Sequence, residues 1–395
     1  MWEIIKTLLF GNGINIQYGG SDNTNKSIIL RAIQSTKEAV YPVHIIVDDP
    51  ELLLSLLGYL FLQVRDILFG NYDKFAFTTD EKTCLEDFKR RYKTYKSINI
   101  TSIGFEDYYL VYDLMCHKYK IQNPERYHIR EALKSFFIYS IYNKGKVNNI
   151  YTRYPEKLKS FFDQYDELYT TNYDQNVEVF YGKKVGYLHG AFNIKKDVYD
   201  PDSMRNKMSD SPIKNSYIDD AHYYLYSNVL TTYSGYSKMF SIKQSKDANM
   251  AMEKMASAYT ADPSVKTEVD KWENDVNELV RKMADGIKLK LQDNELKFKE
   301  TYPIQEFIDV KGDIDIVGLS PNNDTHIFEI LNNNEKLITI SYYYYDLAET
   351  ETVKKLLVKH TPVFKSVTSL WECYKWGWND GWKIKVITNN YFNFR

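Results

Sequence analysis

Short apolar runs in this chain stop repeatedly at small polar residues, and that pattern restricts the fold more than any other feature. Residues 168–171 (LYTT) are β-prone and end at Asn172-Tyr173-Asp174; residues 185–188 (VGYL) read as a second short strand ending at His189-Gly190. In open parallel sheets, ligands bind outside the carboxyl ends of the strands, so polar residues there are better functional candidates than the same residues within a helix. Seventeen positions separate Asn172 from His189. That suits one short crossover between neighbouring strands, which brings both side chains to one crevice.

The same arrangement recurs along the chain. Residues 4–10 (IIKTLLF) predict a first strand, followed by Gly11-Asn12-Gly13-Ile14-Asn15 and a helix over 25–40. A glycine turn between strand and helix either lets backbone N–H groups approach a phosphate or simply makes a tight turn; these residues alone leave both open. Further strands are expected at 43–47 (VHIIV), at 314–318 (IDIVG) before Leu319-Ser320-Pro321-Asn322-Asn323-Asp324, at 336–341 (KLITIS) and at 383–388 (KIKVIT). Between the second strand and residue 168 the pattern is helical, over 51–69, 79–95, 105–120, 125–143 and 156–164. Thr78 and Glu81 are spaced as a capping box there, and His117 and His128 read as helix residues rather than ligands. A tyrosine-rich helix is expected at 221–233. A longer one is expected from 262, with Val265, Val269, Trp272, Val276, Leu279 and Met283 forming a narrow apolar seam.

These elements predict an α/β fold, a Rossmann-like doubly wound parallel sheet with large helical insertions. Segments 1–50, 166–196 and 306–395 form the expected core, with helical insertions at 51–165 and 197–305, the latter a candidate assembly surface. Three widely spaced cysteines, Cys84, Cys116 and Cys373, make neither a disulfide framework nor a four-cysteine zinc module, and fit a reducing cytosol. A formal charge of −2 gives no reason to expect nucleic acid or membrane as a partner. Met1 runs directly into WEII, without the basic region or cleavage site of a signal peptide, so a cytoplasmic protein is expected.

GNGIN after the first strand, TTNYD at 170–174, LHG at 188–190 and GLSPNND at 318–324 together resemble the sirtuin-type NAD-binding fold. The likeness is nearest to the bacterial sirtuin-like proteins of antiphage defence and abortive infection, including those that work with a HerA-type ATPase. It implies that Gly11, Asn12 and Gly13 form the pyrophosphate turn, with Asn15 beside it. Asn172 and Asp174 match the family's Asn-x-Asp motif, with Tyr173 between them among the cofactor contacts, and His189 matches its catalytic histidine. Ser320, with Asn322 and Asp324, falls near the adenosine ribose. The missing zinc module and the long inserts disfavour deacylation and favour hydrolysis of NAD as substrate, without a metal; an enzyme that empties the NAD pool has to be restrained, so a homo-oligomer built partly on the 265–283 seam is expected. Breaking the nicotinamide bond of NAD needs no acid, because the leaving group is already cationic; it needs a fixed ribose, stabilised positive charge and a base such as histidine. The alternative is a non-catalytic module that senses NAD or ADP-ribose and signals to a partner ATPase.

Overall fold

The computed structural model describes residues 4–38, 49–93, 98–123, 125–208, 219–233, 235–299 and 302–374. Among these residues six strands form one all-parallel sheet: β1 (Lys6–Phe10), β2 (Glu167–Thr170), β3 (Gly186–Tyr187), β4 (Gly312–Val317), β5 (Leu337–Tyr344) and β6 (Val363–Ser366), in the spatial order β3-β2-β1-β4-β5-β6. The expected strands at 4–10 and 314–318 are therefore neighbours, with Leu8 opposite Leu168 on one side and Asp315 on the other. Thr7, Leu8, Leu9 and Phe10 are all buried, as a strand covered on both faces must be, and that is why β1 reads as an unbroken apolar run. The chain builds outward from β1 to β2 and β3, then returns to add β4 on the opposite side. The strand order thus reverses between β1 and β4, the place where such sheets open a crevice.

The expected strands at 43–47 and 383–388 lie outside the described residues. β6, the last strand on its side of the sheet among the described residues, was not expected: it alternates exposed and half-buried positions and carries a lysine, so no apolar run announces it.

The helices after β1 follow local signals. α1 (Gly13–Gly19) starts within the glycine turn, and α2 (Asn25–Ser35) is capped by Thr24 Oγ1 accepting from the Ser27 N–H. α3 (Pro50–Leu68) has Asp49 as its cap and proline in its first turn. α4 (Thr79–Tyr92) has the expected capping box, the Thr78 N–H donating to Glu81 Oε2 and the Glu81 N–H to Thr78 Oγ1, both at 3.0 Å. α5 (Asp107–Tyr119) and α6 (Glu125–Tyr142) complete this layer.

The chain divides into two compact units, residues 1–189, 231–238 and 303–395 in one and 190–230 and 239–302 in the other. The helices over 51–165 belong to the same unit as the sheet. In the second unit two expectations give way. Only a short 3-10 turn, Asp220–Tyr226, replaces the helix expected over 221–233, because the backbone there pairs instead with 194–196: Lys196 N–H donates to the Tyr226 carbonyl and Asn228 N–H to that of Ile194, both at 2.8 Å. The seam is not one helix. α7 (Tyr236–Ala261), which no strong periodicity announced, precedes α8 (Pro263–Trp272) and α9 (Glu278–Gln292), and the last two pack on each other across a break. Val269 is fully buried in a core with Met204, Met252, Ala284, Ile287, Leu296 and Phe298; Val265 and Trp272 pack against it.

Candidate functional site

Four neighbouring strands present loops at one end of the sheet: Gly11–Asn15 after β1, 171–174 after β2, His189 after β3 and 318–324 after β4. The Leu188 N–H still donates to the Thr170 carbonyl, 2.9 Å, so Asn172 and His189 each emerge two residues past a paired position, Thr170 and Tyr187.

The glycine turn is set by backbone contact. Gly11 N–H donates to the Val317 carbonyl at 2.9 Å and Gly13 N–H to that of Gly318 at 3.0 Å. A Cβ on Gly13 would lie 2.5 Å from the Gly318 Cα, and Gly318 itself has φ +70°. The two glycine N–H groups that a pyrophosphate turn would offer are thus engaged with β4.

Next to it the asparagines form a brace. Asn172 Nδ2 donates to the Gly11 carbonyl (3.2 Å), Asn15 Nδ2 to Asp174 Oδ2 (2.6 Å), and Asn176 donates to Asp174 Oδ1 through both its backbone N–H and its side chain. Asp174 is buried, which raises its pKa, and these donors partly offset the rise. Exposed Asn12 donates to the Asn23 carbonyl, 2.8 Å. Ser320 and Asn322 are half-buried in the turn after β4, where the Ser320 carbonyl accepts from the Asn323 and Asp324 N–H groups.

The charged chemistry collects around His189. Its Nε2 lies 2.9 Å from His326 Nε2 and 4.0 Å from Asp324 Oδ1. Asp324 precedes α10 (Thr325–Asn332) but makes no cap bond with its side chain; its carboxylate turns to Lys238 Nζ at 3.8 Å. Lys238 in turn donates to Glu106 Oε2 at 2.9 Å, and Tyr173 Oη donates to Glu106 Oε1 at 3.5 Å. The side chains of Lys238 and His189 are 2 % exposed, Asp324 10 % and Glu106 15 %, so Glu106 is the outermost member.

Burial holds both imidazoles well below the usual histidine range, and the Lys238 ammonium lowers both further. Both rings are neutral at pH 7. His326 Nδ1 is buried without a partner among the described residues. An orphan N–H costs more than an orphan lone pair, so the favoured tautomer has His326 Nε2–H donating to His189 Nε2. Burial opposes the Lys238 charge, but Glu106 and Asp324 outweigh it and hold the lysine above its usual range. Glu106 is pushed up to about 7, chiefly by burial, with Lys238 pulling it down and Asp324 pushing it up. Burial also raises Asp324, again against Lys238.

His189, Asp324 and Tyr173 therefore meet in one cluster, and Asn15, Asn172 and Asp174 in the brace. Glu106, Lys238 and His326 were not read from the sequence. Glu106 arrives from the turn just before α5 and Lys238 from the first turn of α7, neither within a motif, and His326 follows a strand-end turn by two residues, a position that could have been flagged. His189, Asp324 and His326 offer three ligand atoms within 4.8 Å, a donor set that can hold a divalent cation. The ammonium of Lys238 already lies near the same Asp324 oxygen.

Comparison of the chain with protein-family models, curated proteins and solved structures finds no match. Fold and site define a Rossmann-like α/β protein with a buried ionic cluster at the carboxyl end of its sheet. Among the described residues no helix is long and apolar enough to cross a membrane.

Proposed function

We propose that this chain is a sirtuin-type NAD glycohydrolase, releasing nicotinamide and ADP-ribose, and that it serves antiphage defence by depleting NAD in concert with an ATPase partner. The observation that carries the reading is the neutral, buried imidazole of His189 in one row of strand ends with Asn172, Asp174 and the glycine turn. A neutral imidazole accepts a proton; water entering at C1′ of the ribose takes over the place of the His326 hydrogen bond and gives its proton to His189 Nε2. The brace of Asn15, Asn172 and Asp174 fixes the loops that hold the ribose, so the amides and the carboxylate act chiefly by positioning. A base of this kind contributes roughly 10²- to 10⁴-fold.

One observation favours the sensing module instead: the polar groups satisfy one another, His189 with His326 and Asn172 with Gly11, leaving a closed site. Nicotinamide release from NAD, by the purified chain alone and with its partner ATPase, separates the two readings. His189→Ala and Asn172→Ala should each lose most turnover, and the double variant should be little worse than either, since groups serving one step are not additive. Undiminished release by His189→Ala removes the histidine from catalysis. Tight NAD binding with no release in any assembly supports the sensor.

A further inference from the structure

α3 packs on α4, α5 and α6, and Leu53, Leu57, Leu60, Val64 and Ile67 are buried along its inner face. A helix with one apolar face turned inward ordinarily shows polar residues on the other. α3 does not. Leu52 is 58 % exposed, Tyr59 41 %, Leu62 68 % and Phe69, just past the helix, 70 %. They follow one another at intervals of seven, three and seven positions, the spacing of an a/d seam between two helices. Large apolar side chains left exposed in one line mark an interaction surface.

Two features of this face point to a second copy of α3 lying antiparallel on it. Glu51, Gly58 and Arg65 run along one edge of the seam, seven positions apart. Both charged residues are exposed and have no ion-pair partner among the described residues, and the Arg65 guanidinium lies 5.6 Å from the centre of the Phe69 ring, which keeps it on the seam. A two-fold axis at Gly58 sets Glu51 of each copy opposite Arg65 of the other, so the edge complements itself twice over. The second feature is Gly58 itself. Glycine weakens a helix interior, and within one copy a Cβ at this position meets nothing within 4 Å. Glycine permits close approach of another backbone, and the axis places one there.

We propose that α3 is the interface of a homodimer in which two copies of the chain pair antiparallel about Gly58, with Leu52, Tyr59, Leu62 and Phe69 covered between them. The occupant is a second copy rather than a bilayer, because a helix that lies on a membrane carries lysines and arginines along its polar rim, whereas this edge has one charge of each sign. The proposal does not rest on the hydrolase reading and holds whether or not NAD is cleaved.

The test is sedimentation equilibrium of the full chain at micromolar concentration, where the wild type should show at least twice the mass of one chain. Glu51→Arg and Arg65→Glu each turn two attractive contacts into two repulsive ones and should raise the dissociation constant about tenfold or more. Mixing these two variants in equal amounts should return it toward the wild-type value, since each supplies the charge the other lacks; a role confined to one chain gives no such rescue. Leu62→Asp, at a site already exposed, should halve the mass while the variant stays folded by circular dichroism, and it carries the test alone should a charge variant fail to fold. A monomeric wild type, an assembly that these variants leave intact, or charge variants that stay apart when mixed overturns the proposal. A monomer that instead sediments with phosphatidylserine vesicles overturns it in favour of a membrane-facing helix.

Discussion

Glu106 makes the ionic cluster sensitive to pH in a direction that can be worked out. Its carboxyl ordinarily titrates at 4.5 and is pushed to about 7 in the fold, so between those values the folded state binds more protons than the unfolded one. Stability from this group is present in full below about 4.5 and is lost as pH rises through about 7, on the order of 3 kcal/mol across the window. His189 and His326, held low, act in the opposite sense: their contribution is present above the unfolded histidine value of about 6.5 and is lost as pH falls below it. Urea unfolding of wild type and Glu106→Gln at pH 5 and pH 7.5 isolates the glutamate. The wild type should lose stability relative to the variant at the higher pH; parallel changes would show that Glu106 is not raised. Ser320 lies outside this cluster, and contacts to the distal ribose hold ground and transition states alike. Ser320→Ala should therefore raise KM for NAD several-fold and spare kcat; an unchanged KM removes it from the site. At this scale the sequence showed the residues that end strands, His189, Asn172, Asp174 and Asp324. It hid Lys238 and Glu106, whose meaning comes only from the tertiary contact between positions 132 residues apart.

Among the elements, the turn after β1 and the end of β4 meet through glycines on both sides. Gly318 and Gly20 both have positive φ, +70° and +82°, but a Cβ on Gly318 would lie 2.7 Å from Gly13 Cα, whereas one on Gly20, whose ψ is −167°, meets nothing within 4 Å. Gly20→Ala should cost only the conformational strain, on the order of 2 kcal/mol at this glycine-only backbone, and Gly318→Ala about 2 kcal/mol more for the forced separation of β1 and β4. Thermal unfolding of the two variants checks this; equal losses would mean that the close approach is not a constraint. The glycine turn was legible as a tight turn, but the use of its N–H groups by β4 was not, since nothing local in GNGIN reports a partner three hundred positions away. Buried strands with strong apolar runs and helices with marked caps were likewise legible. β6 and α7 were not, the one for its exposure and the other for its lack of periodicity, and the extended segment after Tyr226 reflects pairing with 194–196 that outweighs local helix preference.

For the molecule as a whole, the sequence offered the apolar seam of 265–283 as a surface on which an assembly could be built, and the fold turns Val265, Val269 and Trp272 of that seam inward. Val269 is fully buried and Val265 and Trp272 cover the same core, while Val276, at the break between α8 and α9, is 99 % exposed. The break separates α8 from α9, which pack on each other. A homo-oligomer that restrains the proposed hydrolase would then draw on surfaces other than Val265, Val269 and Trp272. Val269→Ala should lower stability by about 2 kcal/mol, the scale of removing buried methyl groups from a packed core, without changing the mass seen by light scattering at micromolar concentration. Val276→Asp should shift stability by no more than about 0.5 kcal/mol and leave that mass unchanged. Dissociation of an oligomer by Val276→Asp, with its unfolding temperature intact, would return the break between these helices to the role of an interface.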